Sequence, residues 1–176
     1  MTNKWFPLKP GTVFTYSTPG KKTVVKVLGS RKVVQGKSST VVDTKEHEGG
    51  KLTEHFVDYY WQGSNGIVYY MKHKSRRKCE SWEAGKRGAK RGIVMKAHPF
   101  VGQRFKVTDA GGAGSQAGGA GQDRARVYAV SKNFVKIEYT SRYYPETVRY
   151  VYKLGVGLYR IYDKGETTKL ASVKQP

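Results

Sequence analysis

Residues 134–163 read FVKIEYTSRYYPETVRYVYKLGVGLYRIYD, and the order of residue types in this stretch decides the fold class. Val148, Tyr150, Tyr152 and Leu154 alternate with Thr147, Arg149, Val151 and Lys153. That period of two places successive side chains on opposite faces of a strand. Val135, Ile137 and Tyr139 alternate in the same way with Lys136, Glu138 and Thr140, and Leu158, Arg160 and Tyr162 with Tyr159 and Ile161. No window of eleven or more residues carries apolar positions at helical spacing without an interrupting Gly or Pro, so at most one helical turn is expected, at residues 81–84.

The same signature extends in both directions. Short runs rich in Val, Tyr, Thr and Ile recur at 12–17, 21–28, 39–47, 51–61, 66–74, 102–108, 124–130, 134–140, 146–154, 158–163 and 166–173, with turn residues between them. Spacing of this kind predicts an all-β fold, an antiparallel meander of ten or eleven strands forming a closed or half-closed β-barrel, lipocalin-like in general shape. Asn65-Gly66 and Glu48-Gly49-Gly50 are the turn signals that make 39–47, 51–61 and 66–74 successive hairpin arms. Pro7, Pro10 and Gly11 set an extended approach to the first strand, with Trp5 and Phe6 capping one end of the core. A chain of 176 residues is expected to form one domain over 1–176. Its core needs no disulfide, and Cys79, the single cysteine, has no partner for one. No apolar run approaches the roughly 20 residues of a membrane span, and no charged-then-apolar leader follows Met1, so neither is expected.

Two segments interrupt the strands. Residues 72–96, KHKSRRKCESWEAGKRGAKRGIVMK, hold ten basic and two acidic side chains. Residues 109–122, DAGGAGSQAGGAGQ, offer almost nothing to bury and read as a flexible Gly-rich hairpin connection. That tract lacks the GxxxxGK[ST] ending of a nucleotide loop, and no helix pattern follows it.

Several motifs resemble an uncharacterised group of bacterial secreted or lipoprotein-like β domains. They are Phe6-Pro7-Leu8-Lys9-Pro10-Gly11-Thr12 followed by Tyr16, Val57-Asp58-Tyr59-Tyr60, Ser81-Trp82-Glu83-Ala84-Gly85, Gly92-Ile93-Val94-Met95 and Gly155-Val156-Gly157-Leu158. The resemblance covers most of the chain and implies an extracytoplasmic location, with the leader absent from this chain. It carries no activity across. Lys86, Arg87, Lys90 and Arg91 stand where such domains have acidic or neutral residues.

Catalytic patterns are sparse. His47, His55, His73 and His98 show no HxxxH or HExxH spacing, so neither a metal nor a cofactor is expected. Arg76, Arg77 and Lys78 before Cys79 would lower its pKa if it were exposed. Leu52, Glu54, Phe56, Asp58 and Tyr60 share one face of a strand; turned into a barrel, the two acids would be buried, the one enzyme-like arrangement the sequence offers.

Charge is the dominant functional signal. Lys and Arg number 33 against 13 Asp and Glu, a formal net charge of +20. The excess runs through the whole chain and is not confined to a tail, and such a field attracts polyanions. The expected function is a non-enzymatic binding module for nucleic acid or an acidic envelope polymer. Its contacts are expected from Lys72, Lys74, Arg76, Arg77, Lys78, Lys86, Arg87, Lys90 and Arg91, with Trp82 either a stacking platform between the two basic clusters or a plug for the barrel mouth. Base-specific reading is not expected, because no helix-turn-helix, zinc-finger or RNP pattern is present. The alternatives are a lipocalin-like carrier of an apolar ligand and a barrel isomerase or cyclase. An open lumen would favour the first and a buried carboxylate facing it the second.

Overall fold

A computed structural model describes residues 2–76, 81–109, 123–141 and 146–176. The expected fold class holds: these residues form no helix and thirteen strands, all paired antiparallel. They are β1 (Val13–Thr18), β2 (Lys21–Val34), β3 (Lys37–Glu48), β4 (Lys51–Gln62), β5 (Val68–Ser75), β6 (Trp82–Glu83), β7 (Gly92–Met95), β8 (Arg104–Lys106), β9 (Arg124–Val130), β10 (Phe134–Thr140), β11 (Val148–Lys153), β12 (Gly157–Asp163) and β13 (Glu166–Lys174). Two strands more than expected arise inside the segment read as irregular. β6 stands where a helical turn was expected, because Lys72 and His73 of β5 pair with Glu83 and Trp82. β7 carries the short apolar run back into the core, with Val94 and Met95 buried. The Gly-rich connection lies outside the described residues.

The strand order is β6-β5-β4-β3-β2-β1-β13-β12-β11-β10-β9-β8, with β7 also on β5. Pairing of β1 with β13 therefore joins the two ends of the chain in mid-sheet, and the meander is open between β7 and β8. Among the described residues no ladder closes that seam and one isolated bridge spans it, the Lys90 N–H donating to the Asp109 carbonyl at 2.7 Å. Gly92 shows how near the seam edges come. A Cβ there would lie 1.8 Å from the Val107 carbonyl oxygen, so no side chain fits without moving backbone. The result is a half-closed barrel.

Turn chemistry fixes the hairpins. Gln35 and Gly36 between β2 and β3, Gly49 and Gly50 between β3 and β4, and Lys164 and Gly165 between β12 and β13 all have positive φ, as two-residue hairpin loops require. Asn65-Gly66 works differently from the expectation, since only Gly66 is at positive φ. There the Asn65 side chain accepts the Ile67 N–H at 3.1 Å, and the Gly66 N–H donates to the Gly63 carbonyl at 2.9 Å.

The main core collects Val68, Val94, Met95, Phe105, Val107, Ala125, Val127, Val135, Ile137 and Tyr152, with Trp5, Phe6 and Leu8 packed against it. The N-terminal segment thus closes one end, as the two aromatics suggested. Asn3 fastens it there: its side chain donates to the carbonyls of Gly66 and Lys96, and its oxygen accepts the N–H groups of Trp5 and Phe6.

Candidate polyanion-binding site

The cationic segment wraps the β5 edge of the sheet. Lys72 and Lys74 belong to β5, Arg76 follows it, and Lys86, Arg87, Lys90 and Arg91 lie on the turn between β6 and β7. Arg77 and Lys78, like Cys79, lie outside the described residues. A cleft of about 470 Å³ opens among Lys72, His73, Lys74, Trp82, Lys86 and Arg87, so the fold brings both basic clusters to one place.

The cations are not equivalent. Glu83 receives Lys72 at 2.7 Å and Lys86 at 2.9 Å, so one carboxylate offsets one of the two positive charges. Burial would raise the Glu83 pKa, but the hydrogen bonds from Lys72 and then Lys86 more than offset it and hold the carboxyl below its ordinary value. Arg91 lies over the rings of Tyr69 and Trp61, at 4.7 and 5.4 Å. Lys74, Arg76 and Arg87 are exposed. Trp82 departs from the platform expectation: it is 6% exposed and meets Tyr70 edge-on at 5.0 Å, so its ring cannot receive a base. Pairing of β6 with β5 turns it into a buried cluster with Val34, Met71, Ala84 and Ala89.

Behind the cleft lies a cluster on the inner face. Asp58 is 6% exposed and accepts three hydrogen bonds: from Tyr70 at 2.6 Å and His73 Nδ1 at 2.7 Å on one oxygen, and from Tyr60 at 3.2 Å on the other. The Tyr70 hydroxyl also lies 3.1 Å from His73 Nδ1, so carboxylate, phenol and imidazole form one connected network. Above it Glu46 and Glu54 face each other across β3 and β4. Burial, then the neighbouring Glu54, raises the Glu46 pKa. Burial likewise raises that of Asp123, partly offset by hydrogen bonds from Ser141 and Thr108. Tyr60, Tyr70, Tyr139 and Tyr150 line the same interior, ring against ring, with 5.1 Å between the first pair and 4.3 Å between the second. The acid face of β4 does turn inward, but tyrosine rings fill the space beside it.

Asp58 is buried on the inner face, Glu46 and Asp123 are half-buried and Glu54 is exposed, while cations of the other half of the sheet face out. On the outer face of β8–β13, Arg104 stands opposite Arg126, Lys106 opposite Arg124, and Arg160 opposite Lys169. Lys136, Arg149 and Lys153 project from the same face, where Glu138 lies between Arg126 and Arg149 and Asp109 meets Lys106 at the edge. Tyr128, Phe134, Tyr159 and Tyr162 are interleaved with them. Sequence reading, drawn to the dense run at 72–91, missed this face. Its signal was present as alternate cations in 104–106, 124–126 and 149–153, which strand alternation puts on one side.

Comparison with family models, with curated proteins and with solved structures gave no match to this chain.

Proposed function

We propose that the domain is a polyanion-binding module whose contact region is the cleft at the β5–β7 edge. The observation that carries this reading is the convergence there of Lys74 and Arg87, exposed cations beside two lysines that share one carboxylate, with exposed Arg76 following Ser75 of the cleft wall. Cations gathered around one cleft make a local field that phosphate or sulfate groups of a nucleic acid or envelope polymer would neutralise, releasing counterions. Lys90 and Arg91 extend the contact along the turn. The filled interior supports a binding surface over a carrier lumen.

The test uses salt dependence. Neutralising five phosphates would give a log-log slope of about −4.5 on duplex DNA. Replacing Lys74, Arg76 and Arg87 by Gln should flatten it by about 3, whereas Glu83→Gln should steepen it by up to about 2 and tighten binding, because Lys72 and Lys86 are released. Unchanged slopes in both variants would place the contact elsewhere.

A further inference from the structure

We infer that the outer face of β8–β12 is a platform for single-stranded nucleic acid, with bases stacking on Tyr128, Tyr159 and Tyr162 and phosphates taken by the cations between them. The partner class named here rests on the polyanion-binding reading and narrows it.

Cross-strand neighbours on an antiparallel sheet lie close enough for like charges directly opposite each other to destabilise the pairing. This face accepts that cost repeatedly, at Arg104–Arg126, Lys106–Arg124 and Arg160–Lys169. Two carboxylates offset part of it: Glu138, opposite Arg126, accepts a hydrogen bond from Arg149 Nε at 3.2 Å, and Asp109 receives Lys106 at 3.3 Å, so the cations of this face still outnumber the acids that meet them. A polyanion laid across the strands would turn each repulsive pair into a shared phosphate contact.

The aromatics select among polyanions. Lys153 and Arg160 lie over the Tyr159 ring at 5.4 and 5.2 Å, Arg149 lies over Tyr128 at 5.9 Å, and Phe134 packs against Tyr159 at 5.9 Å. Tyr162, next to Arg149 in the ladder, is exposed. A sulfated polysaccharide offers no flat π surface to such rings, and a duplex keeps its bases stacked inside. A single strand offers unpaired bases to aromatic rings and phosphates to the adjoining guanidinium groups, a sequence-tolerant combination. The platform also adjoins the cleft through the seam, where Lys106 Nζ reaches Asp109 at 3.3 Å and Asp109 bridges to Lys90. One strand could therefore run from the cleft onto the sheet.

The whole domain, titrated with an oligothymidylate of about 20 nucleotides, a duplex of equal length and heparin, should bind the oligothymidylate about tenfold more tightly than the duplex. Tyr128→Ser with Tyr159→Ser should weaken oligothymidylate binding by about tenfold or more and leave heparin binding unchanged. Tyr162→Ser, at an exposed ring, should give a smaller loss of the same selectivity without touching the core. No loss in folded variants, or an equal loss for heparin and oligothymidylate, would overturn the platform while leaving the polyanion reading in place. Failure of the unaltered domain to bind any of the three would overturn both.

Discussion

Raising the pH from about 10 to about 11 is expected to unfold the domain cooperatively. Six tyrosines drive this. Burial pushes the hydroxyls of Tyr16, Tyr60, Tyr70, Tyr139 and Tyr152 well above the ordinary value, and that of Tyr150 up to about 12. The carboxylate of Asp58 adds to the shift of Tyr60 and Tyr70, and the Tyr139 and Tyr152 hydroxyls, 2.9 Å apart, share a hydrogen bond that one of them must donate. In the unfolded chain each phenol would ionise near pH 10, so above that pH the unfolded state binds fewer protons than the native state and stability falls as pH rises. The stability is intact below about pH 10 and is lost as the pH climbs toward the folded values, by roughly 1 kcal/mol per tyrosine at pH 11. Six such groups together cost several kcal/mol, a large part of the stability of an ordinary domain. Phenolate absorbance and far-ultraviolet circular dichroism, followed in one titration, should change together. Early ionisation of all thirteen tyrosines with the β spectrum intact would show that the interior is open to solvent.

Asp58→Ala is expected to cost about 4 kcal/mol, a drop in melting midpoint of roughly 8–16 °C for a chain of this length. The substitution does more than open a small void. It removes the acceptor for Tyr60, Tyr70 and His73 at once, leaving two hydroxyls and an imidazole N–H without their partner in the interior. Asp58→Asn, which keeps one acceptor oxygen, should lose less. Thermal melts of both variants check the order, and an alanine variant as stable as the original would mean that water replaces the carboxylate freely.

The strands were legible because alternation survives wherever the ladder is regular. Bulges are what the sequence concealed. β2 was expected to stop at Leu28, before Gly29, yet the register with β3 resumes at Arg31 opposite Thr40, so the glycine marks a kink within one strand. Counting back from the β4–β5 hairpin, Gln62 meets Val68, Trp61 meets Tyr69 and Tyr60 meets Tyr70; a regular ladder would then set Lys72 against Asp58. The irregularity at Tyr59 and Tyr60 advances β5 by one residue and brings His73 there, which is why no spacing rule could find the pair. At Tyr159 a second bulge breaks the parity between Leu158, which packs inward, and Arg160, which opposes Val151 on the outer face.

The functional region was legible in its charge and not in its pairing. A dense run of lysine and arginine announces itself in sequence, but Glu83 could be seen to hold two of those lysines only once β6 had been placed beside β5. The inner and outer sorting of acids and cations also depends on the curvature of a thirteen-stranded sheet, which no local pattern encodes. Trp82 illustrates the same limit, since its surroundings in sequence are charged and its surroundings in space are Met71, Val34 and Tyr70.

The most direct measurement is retention of a fluorescent oligonucleotide and of heparin by the unaltered domain, titrated from about 50 mM to about 200 mM salt. Polyanion binding through this surface predicts retention at the low end and a loss of about a thousandfold in affinity across that range. Absence of retention at about 50 mM, or an affinity indifferent to salt, would contradict it.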